Sequence, residues 1–367
     1  MTHPSLTPLA ASLPETVPFV GPETQERALG RAFRARLGAN ESLFGPSAAA
    51  IAAMQAAAAQ VWQYGDPELH DLKTALAAHH RISPDHITIG EGIDGLLGLL
   101  VRLTIGPGDA VVTSQGAYPT FNFHVAGFGG TLTRVPYKGD HEDPQALLDA
   151  ARATRAKLIY LSNPDNPMGS HHPAAVIESM VADLPPAAIL VLDEAYSDLA
   201  PPGTTPAIDP NHPQVIRMRT FSKGYGMAGL RVGYAITAPT LARAFDRVRN
   251  HFGVGRIAQA GARAALQDQG WLTQVQARVI HARARVAAIA ADNGLRPLPS
   301  ATNFVTIDCG RDGDHARAVL REVVARGVFI RMPGVAPLDR CIRVSLGDDA
   351  ALDILAEVLP PALRAAG

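Results

Sequence analysis

Lys223 stands in Thr220-Phe221-Ser222-Lys223 and is followed by Gly224-Tyr225-Gly226-Met227-Ala228-Gly229-Leu230-Arg231, just after the apolar segment 214–218. A lysine on a Gly-rich turn, with a hydroxyl beside it and an arginine eight positions on, suits a Schiff-base lysine next to a bound phosphate. Burial and a carbonyl partner convert such an amine from a solvated charge into a covalent catalyst. An isolated Ser-Lys on a loop would instead be a surface lysine, so the decision falls to the rest of the chain.

Gly90-Glu91-Gly92-Ile93-Asp94-Gly95 is a Gly-rich turn between an apolar run and a helical pattern. Free backbone N–H groups and a helix N-terminus make an anion cradle there. The spacing is also G-x-G-x-x-G, whose dinucleotide-binding form needs an acidic residue at the end of the next strand. Here that strand ends in Ser114-Gln115, which favours a phosphate cradle for a smaller cofactor. Asp193 follows the apolar run 188–192 directly, at the strand edge where ligands bind in parallel sheets. A carboxylate there needs a cationic partner, such as a protonated pyridine nitrogen; a helix N-cap is the plain alternative. Tyr196 could bring a phenol to the same place or serve as a core tyrosine. The turn Asn163-Pro164-Asp165-Asn166-Pro167-Met168-Gly169 ends another strand and sets Asn166 on the same edge.

The elements that must position these residues are short apolar runs at 86–89, 110–113, 158–162, 188–192, 215–218 and 232–236, each closed by a turn signal. Helical spacing fills 96–103, 144–153 and 173–184 between them. Continuous apolar strands alternating with helices predict a mainly parallel sheet covered on both faces. The Ala-rich segment 48–59 predicts a helix with Ser47 as N-cap. After about residue 237 the texture changes: helices are expected at 241–250, 257–267 and 271–291, then an α+β segment over 304–358. The expected division is a large lobe at 45–240, and a smaller one from 1–44, with a strand-like segment at 34–39, plus 241–367.

A chain of 367 residues fits two packed lobes. Net charge of -1 gives no reason to expect nucleic acid or an acidic membrane surface. Cys309 and Cys341 are far apart, which argues for a reducing cytoplasm rather than a disulfide framework. No apolar run approaches a membrane span, and Met1-Thr2-His3-Pro4 does not open a signal peptide. The histidine pairs His79-His80 and His171-His172 lack the helical i, i+4 spacing with a glutamate that zinc sites use, so no metal is expected.

In order along the chain, Asn166-Pro167-x-Gly169, Asp193-Glu194-Ala195-Tyr196 and Ser222-Lys223 through Gly229-Leu230-Arg231 resemble the class I/II aminotransferases. These are fold type I pyridoxal-phosphate enzymes, and the resemblance is closest to the histidinol-phosphate aminotransferase branch, from about residue 36 to 347. It implies a seven-stranded, mainly parallel sheet with a smaller α+β domain. It implies that Lys223 forms the Schiff base with pyridoxal 5'-phosphate and then moves protons, while Asp193 pairs with the ring nitrogen. Tyr196 and Asn166 would bond the phenolate oxygen. Gly92, Ile93, Asp94, Ser222 and Arg231 would hold the phosphate, Phe121 would stack on the ring, and Tyr64 would reach the phosphate from the other subunit of a homodimer. Arg343 would fork onto a substrate carboxylate, a geometry that suits a guanidinium. Arg331, Asn40 and Phe19 would stand near the substrate. The partners implied are an amino donor and a 2-oxo acid such as 2-oxoglutarate.

The chain departs from the branch where substrate is chosen. Pro18-Phe19 lacks the hydroxyl of the usual tyrosine, Ser42-Leu43-Phe44 replaces Asn-Pro-Tyr, Asp165-Asn166 replaces Asn-Asn, Met168 replaces Thr, and Asp94-Gly95 replaces Asp-Glu. The donor is therefore expected to be histidinol phosphate or an aromatic amino acid. A decarboxylase or lyase on the same fold is the competing enzyme class. A cofactor-sensing regulator would need a DNA-binding segment, and residues 1–35 are too short and not basic enough for one.

Overall fold

The computed structural model describes residues 5–15 and 19–367, so Met1–Pro4 and Pro18 of the readings above lie outside the described residues. In chain order the strands are β1 (Ala35–Arg36), β2 (Ile87–Gly90), β3 (Ala110–Ser114), β4 (Thr131–Val135), β5 (Leu158–Ser162) and β6 (Ile189–Asp193). They continue with β7 (Val215–Thr220), β8 (Gly233–Thr237), β9 (Arg296–Pro297), β10 (Phe304–Asp308), β11 (Val328–Phe329) and β12 (Cys341–Ser345). Seven of them form one sheet in the order β2-β8-β7-β6-β5-β3-β4. Only β8 runs against the rest, pairing antiparallel with both β2 and β7. The link from β7 to β8 is a short looped turn, too short for the helical crossover that a parallel neighbour requires.

The pleat divides the core. Tyr160, Val191 and Ile216 face the helices Gly92–Thr104 and Pro119–Gly127, packing on Leu96, Leu97, Phe121 and Val125. Their neighbours Ile159, Leu161, Leu190, Leu192 and Val215 face the helices Pro144–Thr154 and Ala174–Ala182. Strands buried on both faces explain why the apolar runs are continuous rather than alternating. The strand missed by the sequence reading, β4, is the edge strand Thr-Leu-Thr-Arg-Val, half exposed and polar at alternate positions.

A second core lies under the antiparallel sheet β9-β10-β12, covered by the helices Gln269–Asp292, Gly313–Ala325 and Asp349–Ala366. The parallel pair β1–β11 ties the N-terminal segment to it. The expected lobe boundary at 240 falls short of the packing. The helix Arg256–Gln267 buries Ala258, Ala262, Ala265 and Leu266 with Ala50, Leu72 and Leu76, in the same cluster as β2 and β8. Its small residues let it lie close against the Ala-rich helix Ala48–Ala58, as Gly261 against Met54 shows. The helix expected at 241–250 is also shorter, Pro239–Ala244 followed by a turn at Phe245–Arg247. Among the described residues no helix is long and apolar enough to cross a membrane.

Candidate active site

Strand register brings the chemistry to one edge. Ser162 pairs with Asp193, Asp193 with Met218, and Gly233 pairs with both Thr220 and Gly90. The C-terminal ends of the parallel strands therefore present Asn166, Asp193, Tyr196, Ser222 and Lys223 to a common cleft, which open α/β sheets use for ligands. The cleft has a volume of about 1010 Å³, and its opposite wall comes from Ala39–Glu41, Ile330–Val335 and Arg343.

One end is built for an anion. The helix Gly92–Thr104 starts at this edge, and the first N–H groups of a helix have no carbonyl partner within it. Ile93, Asp94, Ser222 and Arg231 line this end, and Arg231 Nη2 lies 3.5 Å from Asp94 Oδ2. Gly92 contributes room rather than a wall. Its φ is +76°, and a Cβ there would stand 2.5 Å from Arg231 Nη2, so only glycine fits.

Asp193 is buried, with Oδ2 accepting from Tyr160 Oη at 2.7 Å and Oδ1 from the Ala195 N–H at 2.9 Å. Burial pushes its carboxyl up to about 6 although the Tyr160 bond opposes the rise, so a cationic N–H beside it would be held firmly. It does not N-cap a helix; the next turn, Ser197–Leu199, starts at Tyr196. Lys223 Nζ donates to the Asn40 carbonyl at 2.9 Å. Burial, then the Arg343 charge, lowers this amine to about 8, which makes it partly neutral near neutrality and able to take a proton. Tyr196 accepts from Asn40 Nδ2 at 3.1 Å, and burial raises its phenol above the usual range.

Arg343 donates to Asn166 Oδ1 and to the Gly38 carbonyl, while its buried Nε has no partner among the described residues. Burial lowers this guanidinium to about 10. A buried, incompletely satisfied guanidinium calls for an anion. Arg331 donates to the Val20 carbonyl at 3.0 Å and lies over the rings of Phe19 and Phe329. Phe19 in turn stacks on Tyr118 at 6.2 Å.

One expected residue stands elsewhere. Phe121 is fully buried beneath the sheet edge, stacked on Tyr160 at 4.8 Å, and does not line the cleft. The aromatic of that segment that does is Tyr118, whose hydroxyl donates to Asp94 Oδ1 at 2.9 Å. The helix Pro119–Gly127 begins between them, and three residues of helical rotation turn Phe121 inward. Tyr64 is 77% exposed, outside this chain's cleft, with its ring 4.6 Å from Phe252. Asn40 is buried and bonded to the Tyr196 and Ser345 hydroxyls, so it braces the cleft from within. Tyr160 escaped the sequence reading, although the one hydroxyl in Leu-Ile-Tyr-Leu needs a partner once buried.

The donor set fits pyridoxal phosphate: an anion cradle, a buried acid for a ring N–H, and a primary amine within the same cleft. Asp193, Tyr196, Asn166 and Lys223 would surround the ring, with Ile93, Asp94, Ser222 and Arg231 at the phosphate.

The family model for aminotransferase class I and II matches residues 35–359. A histidinol-phosphate aminotransferase of Anaeromyxobacter sp. is 38% identical over 332 residues, covering 89% of this chain and 91% of that protein. Another, of Moorella thermoacetica, is 33% identical over 350 residues, covering 94% and 90%. The crystal structure of histidinol-phosphate aminotransferase from Sinorhizobium meliloti in complex with pyridoxal-5'-phosphate superimposes with a TM-score of 0.96 at 53% identity, covering 100% of this chain and 99% of that one. Thermus thermophilus aspartate aminotransferase with maleate shares the fold, with a TM-score of 0.76 at 22% identity.

Proposed function

This chain belongs to the class I and II aminotransferases and is a pyridoxal-phosphate-dependent aminotransferase; we propose that its amino donor is histidinol phosphate and its acceptor a 2-oxo acid such as 2-oxoglutarate. When bound, the cofactor supplies an electron sink for charge developing at the donor's α-carbon. Lys223 Nζ, lowered to about 8 by burial, is the base for the proton at that carbon and returns it on the other side of the exchange. Asp193 would hold the ring N–H, and Tyr160 favours the ionised form of that carboxylate by donating to it. Tyr196 and Asn166 would bond the ring oxygen. Arg343 receives the α-carboxylate of a 2-oxo acid, or the phosphate of histidinol phosphate.

The observation that carries the choice of donor is the unpaired positive charge lining the cleft. Among the described residues the Arg331 side chain bonds only to a backbone carbonyl, and Arg134, lining the same cleft, has no ion-pair partner. These cations, besides Arg343, suit a donor that carries a phosphate. The 53% identity to the Sinorhizobium enzyme supports the same donor. An aromatic amino acid is the second candidate, because Phe19 and Tyr118 stack in that region.

The test is the absorption spectrum of the purified holoenzyme as single donors are added: histidinol phosphate, phenylalanine, tyrosine, glutamate. Rapid bleaching of the cofactor's visible band by histidinol phosphate, and by glutamate as the aminated form of the acceptor, but not by phenylalanine or tyrosine supports the assignment; bleaching by the aromatic donors and not by histidinol phosphate overturns it.

The enzyme is proposed to be a homodimer in which Tyr64 completes the partner's phosphate end. Trp62 is 80% exposed beside Tyr64 and Phe252, an apolar patch that a second copy would cover. Both cysteines are buried and unpaired, which supports the cytoplasm as its compartment.

A further inference from the structure

Glu142 and Asp165, each 2% exposed, lie behind the turn that carries Asn166. Glu142 Oε1 accepts from the Ser162 N–H and Oγ, both at 2.9 Å, and Oε2 lies 2.5 Å from Ser114 Oγ. Asp165 Oδ1 accepts from Tyr137 Oη at 2.9 Å, and Oδ2 from the Met168 N–H at 3.0 Å. Ser162 Oγ also lies 3.3 Å from Asp165 Oδ1, so one serine hydroxyl spans the two carboxyls. Neither forms a salt bridge among the described residues.

The titratable and charged groups around the pair are few. Tyr137 and Tyr160 face it from the segment after β4 and from β5. His172 touches only the Glu142 carbonyl, and His141 packs on His172. Arg343 and Tyr196 act on Asp165 from across the cleft. Two anions joined by one serine hydroxyl, without a lysine or arginine touching either among the described residues, could not both stay ionised in so dry a place.

We propose that Glu142 is a neutral carboxylic acid beside an ionised Asp165, and that this pair is the positioning element for Asn166. The placement of the proton follows from the donors. Asp165 accepts from the Met168 N–H and the Tyr137 hydroxyl, and the Arg343 cation acts on it from across the cleft, which favours its ionised form. Glu142 Oε1 takes the Ser162 N–H, which leaves Oε2 to carry the proton. Ionised Asp165 closes the turn: its Oδ2 holds Met168, its N–H donates to the Ser170 carbonyl at 2.8 Å, and its carbonyl accepts from Gly169. Asn166 at the tip is thereby held against Arg343. Loss of the Glu142 proton would set two negative charges against each other and release the turn.

Burial pushes both carboxyls up, Glu142 further than Asp165. The folded chain thus keeps a proton that the unfolded chain releases in the ordinary glutamate range. Between those two titrations the folded state binds more protons, so stability falls as pH rises through that window.

The test uses the full-length holoenzyme. Infrared spectra near neutral pH are expected to show a protonated-carboxyl C=O band that Glu142→Gln removes and Ser114→Ala shifts. The amide introduced by Glu142→Gln keeps an N–H donor where the proton was, so that variant should lose the decline in melting temperature between the ordinary glutamate range and the raised Glu142 titration. Resting on Arg343 as the carboxylate site, the KM for 2-oxoglutarate should rise by about threefold with pH through the Glu142 titration in the parent and stay flat in Glu142→Gln. Absence of the band, or its survival in Glu142→Gln, overturns the proton assignment. The spectrum and the Ser114→Ala shift decide this even if Glu142→Gln does not fold. A band that behaves as expected with a KM indifferent to pH in both proteins overturns the positioning role alone. Neither infrared result depends on which donor the enzyme uses.

Discussion

Asn40 joins the two walls of the cleft: its side-chain amide donates to the Tyr196 hydroxyl at 3.1 Å while its carbonyl accepts from Lys223 Nζ at 2.9 Å. The residue sits at φ +54°, which asparagine tolerates better than most residues. Asn40→Gly keeps that backbone and the carbonyl but removes the amide. One lost bond to a charged or reacting group corresponds to about 1.5 kcal/mol, or roughly tenfold in kcat. The expected result is that loss with a little-changed melting temperature, measured by steady-state kinetics and thermal denaturation.

Lys223→Ala removes the only lysine lining the cleft among the described residues. Turnover should vanish, and so should the visible band that depends on a covalent link between protein and cofactor. Retention of that band with bound cofactor would show that another amine makes the link.

Tyr160→Phe leaves Asp193 with one donor fewer. Because the Tyr160 bond lowers the Asp193 carboxyl, its loss raises that group further and leaves it less charged near neutrality. Cofactor affinity should fall about tenfold, in line with one hydrogen bond to a charged group, as read by equilibrium dialysis.

Arg343→Ala should raise the KM for 2-oxoglutarate by more than about tenfold and leave the dissociation constant of the cofactor within about twofold. The opposite pattern would place Arg343 at the cofactor rather than at the substrate.

Glu194 adjoins Asp193 and is buried between Arg217 and Arg219, at 2.8 Å from each. Those cations hold its carboxyl below the usual glutamate range, against the opposing effect of burial. Its contribution is therefore present above the ordinary glutamate pKa and lost as pH falls through the lowered value. Glu194→Leu would leave two buried guanidinium groups short of a partner and should destabilise the fold by about 3 kcal/mol at neutral pH. Urea denaturation at neutral and acid pH checks both magnitude and direction.

The meeting of Asn166, Asp193, Tyr196, Ser222 and Lys223 at one cleft was legible in the sequence, because they follow continuous apolar runs and parallel strands put such endings on one edge; the roles proposed for them came from the family resemblance. The seven-stranded sheet followed from the same runs, except for the half-polar edge strand β4. What only the tertiary structure decided are matters of facing and of distant partners. Tyr118 rather than Phe121 lines the cleft, because the helix start between them sets their directions. The helix Arg256–Gln267 joined the large-sheet core because its small residues match the Ala-rich helix far earlier in the chain. Asn40 on Tyr196, Tyr160 on Asp193 and Glu142 on Ser162 are contacts across 156, 33 and 20 positions. Spacing along a chain carries the period of an element and the place where it ends. It does not carry which side chain of another element will meet it in the dry interior, and there each polar group must find a partner.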